Sequence, residues 1–244
     1  MPSGKGPRAN NTSFVSVFTP WYSKTPGFPA QAASTEILGM MNFAAFNLGA
    51  LALEAGLDIE WKDVDFDGII ASLQSGQAEI AIAGLSPTEE RKDMVDFGDI
   101  YYNTEAGLSN YFVFDSTENN IVSLEDLDGL IVGAQIGTVQ AGLLEAIKDE
   151  YGFTVDLRNT NTMIVEEVKA GRVDVLVVES AIAISILEAN TSLSKVGFES
   201  YLDDVLGSAI AFAKDSEYTA QFNTALATMK ADGSLQTLID KWFN

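Results

Sequence analysis

From residue 57 onward, short runs rich in Val, Ile and Ala alternate with stretches in which apolar positions recur every three or four residues. The first pattern predicts strands at 57–61, 78–83, 130–135, 154–157 and 173–178. The second predicts helices at 43–55, 68–75, 88–94, 139–150, 163–170, 181–188 and 219–243. Gly56, Gly76, Gly152 and Gly171 each follow an apolar-periodic run, where a glycine ends a helix by adopting a left-handed conformation. Alternation of the two patterns argues for an α/β protein.

One unit occurs twice. Residues 73–84 (LQSGQAEIAIAG) align without a gap with residues 168–179 (VKAGRVDVLVVE), each reading as a helix end, a glycine stop and an apolar strand buried on both faces. Residues 58–61 and 154–157 correspond in the same way. Such units also recur by chance in α/β chains, but the repeat sets Gly84 and Glu179 at one position, the carboxyl end of a strand, where α/β sheets place ligands. Two similar lobes are expected, each a mixed sheet flanked by helices. The extended apolar stretch 105–114 suits a crossing between them, and 200–208 a return. The expected division is a tail at 1–13, one lobe from 14–105 plus 204–244, and a second from 106–203.

Composition narrows the chemistry. Fourteen Lys and Arg against 35 Asp and Glu give a formal charge of −21. That balance opposes nucleic acid and anionic membranes, both of which need clustered cations. With no Cys there is no disulfide framework, and with no His the commonest general base and transition-metal ligand is missing. No metal or other cofactor is expected. No apolar run reaches the roughly 18 residues of a membrane helix, and residues 1–11 are polar without the apolar stretch of a signal peptide.

The segment Gly84-Leu-Ser-Pro-Thr-Glu-Glu-Arg91 follows the strand expected at 78–83. Ser86 as N-cap, Pro87 at the first helical position and Glu89 three residues after Ser86 form a capping-box pattern. A helix starting there turns free N–H groups toward the crevice, Gly84 lets a ligand approach the backbone, and Arg91 can clamp a carboxylate bidentately. The same pattern also describes a capped surface helix with a solvated Arg. In the other half, Gly137-Thr138-Val139-Gln140 opens a helix with exposed N–H groups and a hydroxyl, and Glu179 offers an acceptor-only carboxylate to an ammonium group. A carboxylate clamp facing an ammonium clamp fits a zwitterion. Phe66, between a strand and a helix, is placed to wall the cleft or to pack in the core. Phe66 and Gln135 are compatible with a basic or amide ligand side chain.

The stretches Phe66-Asp-Gly-Ile-Ile-Ala-Ser-Leu-Gln-Ser-Gly76 and Ser86-Pro-Thr-Glu-Glu-Arg-Lys-Asp-Met-Val-Asp-Phe-Gly-Asp-Ile-Tyr-Tyr102 resemble bacterial solute-binding proteins for polar amino acids. So do Gly133-Ala-Gln-Ile-Gly-Thr-Val-Gln140, Ala170-Gly-Arg-Val-Asp174 and the ending 229–243. The resemblance implies a two-lobed periplasmic-binding-protein fold with two crossovers. It implies a monomeric receptor, periplasmic or extracellular and in some precursors membrane-anchored, that delivers a free amino acid to an ABC permease. In that reading Arg91, Ser86 and Gly84 hold the carboxylate, Val139 adds a backbone N–H, and Phe66 packs on the ligand side chain. Glu179 stands where the family usually has Asp for the ammonium. The front of the chain departs from the family: 16–23 is a loose echo, Ala44 and Phe46 replace two expected aspartates, and Trp21 or Tyr22 is the candidate lid. Relatives on this scaffold include cyclohexadienyl dehydratases, for which Glu179 would be the acid, and sensor domains of membrane receptors. Binding without catalysis is the expectation.

Overall fold

In the computed structural model, residues 13–18, 58–103, 110–197 and 207–243 are described. Trp21, the helix expected at 43–55, residues 105–109 of the first expected crossing and 200–206 of the second lie outside them. Ser13, expected in the tail, begins the first strand, β1 (Ser13–Phe18), which pairs in parallel with β2 (Asp58–Asp63). A 3-10 turn, Phe66–Gly68, leads into α1 (Ile69–Gln74), and then come β3 (Ile80–Ala81), α2 (Glu89–Met94) and β4 (Asp96–Tyr102).

The chain next builds a second sheet from β5 (Asn110–Asp115), β6 (Ile131–Gln135), β7 (Thr154–Arg158), β8 (Val175–Glu179) and β9 (Leu193–Gly197), in the order β7-β6-β8-β5-β9. β6 runs parallel to β7 and β8, whereas β5 is antiparallel to β8 and β9. Helices α3 (Val139–Tyr151), α4 (Asn161–Lys169) and α5 (Ser180–Ala189) connect these strands. The chain then returns as β10 (Ser208–Phe212), antiparallel between β3 and β4, and ends in α6 (Tyr218–Asp232) and α7 (Ser234–Phe243). The result is a two-lobed α/β fold, with a parallel pair and an antiparallel three-stranded sheet in the first lobe and a mixed five-stranded sheet in the second.

Each lobe has its own core. In the first, Ile80, Ile82, Ile210 and Phe212 pack against Phe222, Leu226 and Met229 of α6, with Leu235 and Leu238 of α7 closing the layer. In the second, alternate residues of the central strands face opposite ways. Phe112, Val132, Val175 and Val177 meet Leu144 and Ile147 of α3, while Val113, Leu176 and Val178 meet Ile164, Val168 and Ile186. Burial of each such side chain contributes on the order of 1.5–3 kcal/mol.

Three expectations change. The helix expected at 219–243 is two helices, because Gly233 adopts φ 78 and the Asp232 carboxylate accepts from the Ser234 N–H at 2.8 Å. The stretch expected as a bare crossing, 105–114, contains the ordered strand β5 from Asn110. The capping box at Ser86 does not form: Thr88 caps α2, its hydroxyl accepting from the Arg91 N–H at 3.3 Å. Ser86 is instead buried before the helix, where its carbonyl is an acceptor for the Arg91 side chain.

Candidate functional site

Arg91 belongs to a helix of six residues, Glu89–Met94, and is 8% exposed. Its Nη1 donates to the Ser86 carbonyl at 2.9 Å and its Nη2 to the Gly137 carbonyl, in the other lobe, at 2.8 Å. Phe66 lies with its ring centroid 5.7 Å from the guanidinium carbon and packs on Ile69, Leu73 and Leu85. Phe66 therefore braces the cation as well as the core. Both hydrogen-bond partners of the guanidinium are neutral carbonyls, and among the described residues no carboxylate makes an ion pair with it. Burial pushes its pKa down, opposed by the nearby charge of Glu90. A guanidinium has five donors, so these two bonds leave capacity for a bidentate carboxylate.

Gly84 adopts φ 67, and a Cβ built there would meet nothing within 4 Å. Its backbone is thus open on one side, in a conformation that favours glycine. Its N–H is already used, donating to the Tyr101 hydroxyl at 3.3 Å. What Gly84 can present to a ligand is its carbonyl, an acceptor for a cation rather than a donor for a carboxylate. Tyr101 is buried, and burial raises its pKa, with the Glu179 charge adding to the rise and hydrogen bonds with Gly84 and Ser208 opposing it.

Across the cleft, the Gly137 turn has φ 78 and leads into α3. The Thr138 hydroxyl is consumed by its own turn: it donates to the Gln135 carbonyl at 2.7 Å and accepts from the Ala141 N–H at 3.2 Å. The exposed hydroxyl expected there is a helix cap. The first-turn amides of Val139 and Gln140 are then the donors that this cap leaves over. Gln140 is buried, and its Nε2 donates to the Asn110 Oδ1 at 2.9 Å, tying the start of α3 to the start of β5. Gln135 is also buried: its Nε2 donates to the Asn159 carbonyl at 2.8 Å, and its Oε1 accepts from Asn161 at 3.3 Å. Its amide is thus engaged within the second lobe.

Glu179 ends β8 opposite Asn110 and stands at the N-cap of α5 without a side-chain capping bond. Burial pushes its carboxyl up to about 7. Tyr101, which accepts from the Gly84 N–H, lies within electrostatic reach of Glu179. The structure so places Gly84, Ser86, Arg91 and Phe66 together in one lobe and sets the Gly137–Val139 turn against them from the other. Tyr101, Gln140 and Asn110 were not singled out by sequence. Tyr101 and Gln140 sit inside the motifs quoted above, which is the signal that could have found them.

Residues 46–111 match the model for bacterial extracellular solute-binding proteins, family 3. The arginine-binding extracellular protein ArtP of Bacillus subtilis (strain 168) is 39% identical over 194 residues, covering 80% of this chain and 74% of that protein. Among solved structures, an ancestral arginine-binding protein bound to arginine is 29% identical with a TM-score of 0.78, covering 95% of this chain and 98% of the other. The amino acid ABC transporter substrate-binding protein AbpA of Streptococcus pneumoniae Canada MDR_19A, bound to L-arginine, is 26% identical with a TM-score of 0.77, covering 95% and 94%.

Proposed function

The chain belongs to the bacterial extracellular solute-binding proteins, family 3, and from that premise we propose that it captures a free amino acid between its lobes for an ABC-type permease. The observation that carries this reading is Arg91, a buried cation whose hydrogen bonds go to neutral carbonyls of both lobes. A ligand carboxylate at the guanidinium supplies the compensating charge, helped by the Val139 and Gln140 amides. Glu179 and the Gly84 carbonyl take the ammonium. Ser86 contributes through the carbonyl that steadies Arg91, and Thr138 through the turn that it caps. Phe66 keeps its expected part as a wall of the cleft, and Trp21 is retained as the lid candidate.

A basic or other polar amino acid is the expected ligand, arginine first, since the 39% identical relative is named for arginine. The lobes divide at 105/106 and 203/204, and the protein acts as a monomer outside the cytoplasmic membrane. Among the described residues no helix is long and apolar enough to cross a membrane. Glu179 serves as a ligand partner and not as a general acid.

The test is a thermal-shift screen of the common amino acids followed by calorimetry, because a cleft ligand stabilises the folded state alone. Arginine is expected to raise Tm, and Arg91→Ala to abolish measurable binding. Unchanged affinity in Arg91→Ala would sink the assignment.

A further inference from the structure

The Tyr101 hydroxyl lies where the two connections between the lobes begin and end. Tyr101 is one residue from the end of β4, the last described strand before the first crossing. Its side-chain partner Ser208 opens β10, the first strand after the second crossing, and Ser208 pairs in register with Tyr102. The same hydroxyl accepts the Gly84 N–H at 3.3 Å. One residue further on, the Leu85 carbonyl accepts from the Ala209 N–H at 2.9 Å, also on β10. The peptide units on either side of the Gly84 carbonyl are therefore both pinned, one by Tyr101 and one by the strand that carries Ser208. With φ 67 and no neighbour within 4 Å of a Cβ, Gly84 has few other restraints. A glycine so placed would otherwise sample many backbone states.

We propose that Tyr101 is a positioning residue for ligand capture: its hydroxyl fixes the Gly84 backbone for the ligand ammonium and ties that end of the site, beside Glu179, to the strands that bear the crossings. This inference rests on the reading of the cleft as an amino-acid site. Tyr101 does not need to touch the ligand. The ring packs with Ile80, Ile210 and Phe222, so Tyr101→Phe keeps the core contact and removes only the hydroxyl.

The experiment is calorimetry and stopped-flow with L-arginine, or whichever amino acid the screen selects, on the full chain and on Tyr101→Phe, Glu179→Gln and the double variant. Tyr101→Phe is expected to weaken binding about ten-fold, mostly through faster dissociation, and to lower Tm somewhat because the Gly84 N–H loses its acceptor. Because the hydroxyl acts through the ammonium end, its loss should matter much less in the Glu179→Gln background. A purely structural hydroxyl would add the same loss of affinity in both backgrounds. Ser208→Ala, which removes the second partner, should weaken binding in the same direction by a smaller factor. Unchanged affinity in Tyr101→Phe, or equal losses with and without Glu179, overturns the inference while the site reading stands. A wild-type chain that binds no amino acid overturns the site reading itself.

Discussion

Glu179 is a carboxyl whose charge is costly where it stands. Burial lifts it to about 7 from an ordinary value of 4.5, so the folded chain keeps this proton to higher pH than the unfolded chain does. Between those two values the folded state binds more protons, and stability contributed by this group falls as pH rises until about 7. Binding has the opposite sign, since an ammonium needs the carboxylate. Capture below pH 7 must release the proton, and affinity is expected to drop toward about ten-fold for each pH unit below it. The chain has no His to confuse that window. Calorimetry at pH 5.5 and 7.5 should show the difference in the wild type. In Glu179→Gln binding should be weaker and nearly flat across the same range; a wild-type profile equally flat would show that Glu179 does not face the ligand.

At the scale of elements, the short helix α2 depends on one hydroxyl. Thr88→Ala removes the acceptor for the Arg91 N–H and is expected to cost about 1 kcal/mol, a few degrees of Tm, and to loosen the residue that grips the ligand. Gly133 on β6 is a second element-scale constraint. A Cβ there would lie 2.6 Å from the Ile164 Cγ2 and 3.2 Å from the Val173 Cγ1, so Gly133→Ala should cost roughly 1–3 kcal/mol by pushing α4 off the sheet, read by urea denaturation. Elements of this kind differ in how far sequence reveals them. The glycine stops were readable because Gly76, Gly152 and Gly171 do take positive φ, a local demand that leaves a local mark. β4 and β10 left none. Asp96–Tyr102 carries two acids and a glycine, and Ser208–Phe212 is small and Ala-rich, so their strand character comes from pairing with each other across the fold. The cap was misplaced for a related reason: Ser86 and Thr88 are equal candidates until Arg91 draws the Ser86 carbonyl inward. Glu179 stood out because strand ends are legible, and Arg91 because a helix start after a strand is legible too. Tyr101 reads as core in any strand, and only the three-dimensional meeting with Gly84 and Ser208 gives its hydroxyl a purpose.

At the scale of the whole molecule, the lobes touch at the Gly137 turn. Arg91 donates across to the Gly137 carbonyl at 2.8 Å, and Asn159 Nδ2 approaches Asp65 Oδ2 at 3.5 Å nearby. Gly137 is required twice over. Its φ is 78, and a Cβ would sit 2.9 Å from the Asp67 Cα of the opposing lobe, a backbone atom that cannot swing aside. Gly137→Ala should therefore oppose closure more than it opposes folding. Ligand affinity is expected to fall at least about ten-fold, and small-angle scattering should show less compaction on adding ligand than in the wild type. The left-handed backbone adds a cost of its own, of order 1–2 kcal/mol. Gly171→Ala isolates that cost, because Gly171 has φ 66 with nothing within 4 Å of its Cβ. That control should lose stability yet bind and compact like the wild type. If Gly137→Ala also binds and compacts normally, the lobes do not close through this turn, and the Arg91–Gly137 bond is not part of the ligand-bound state.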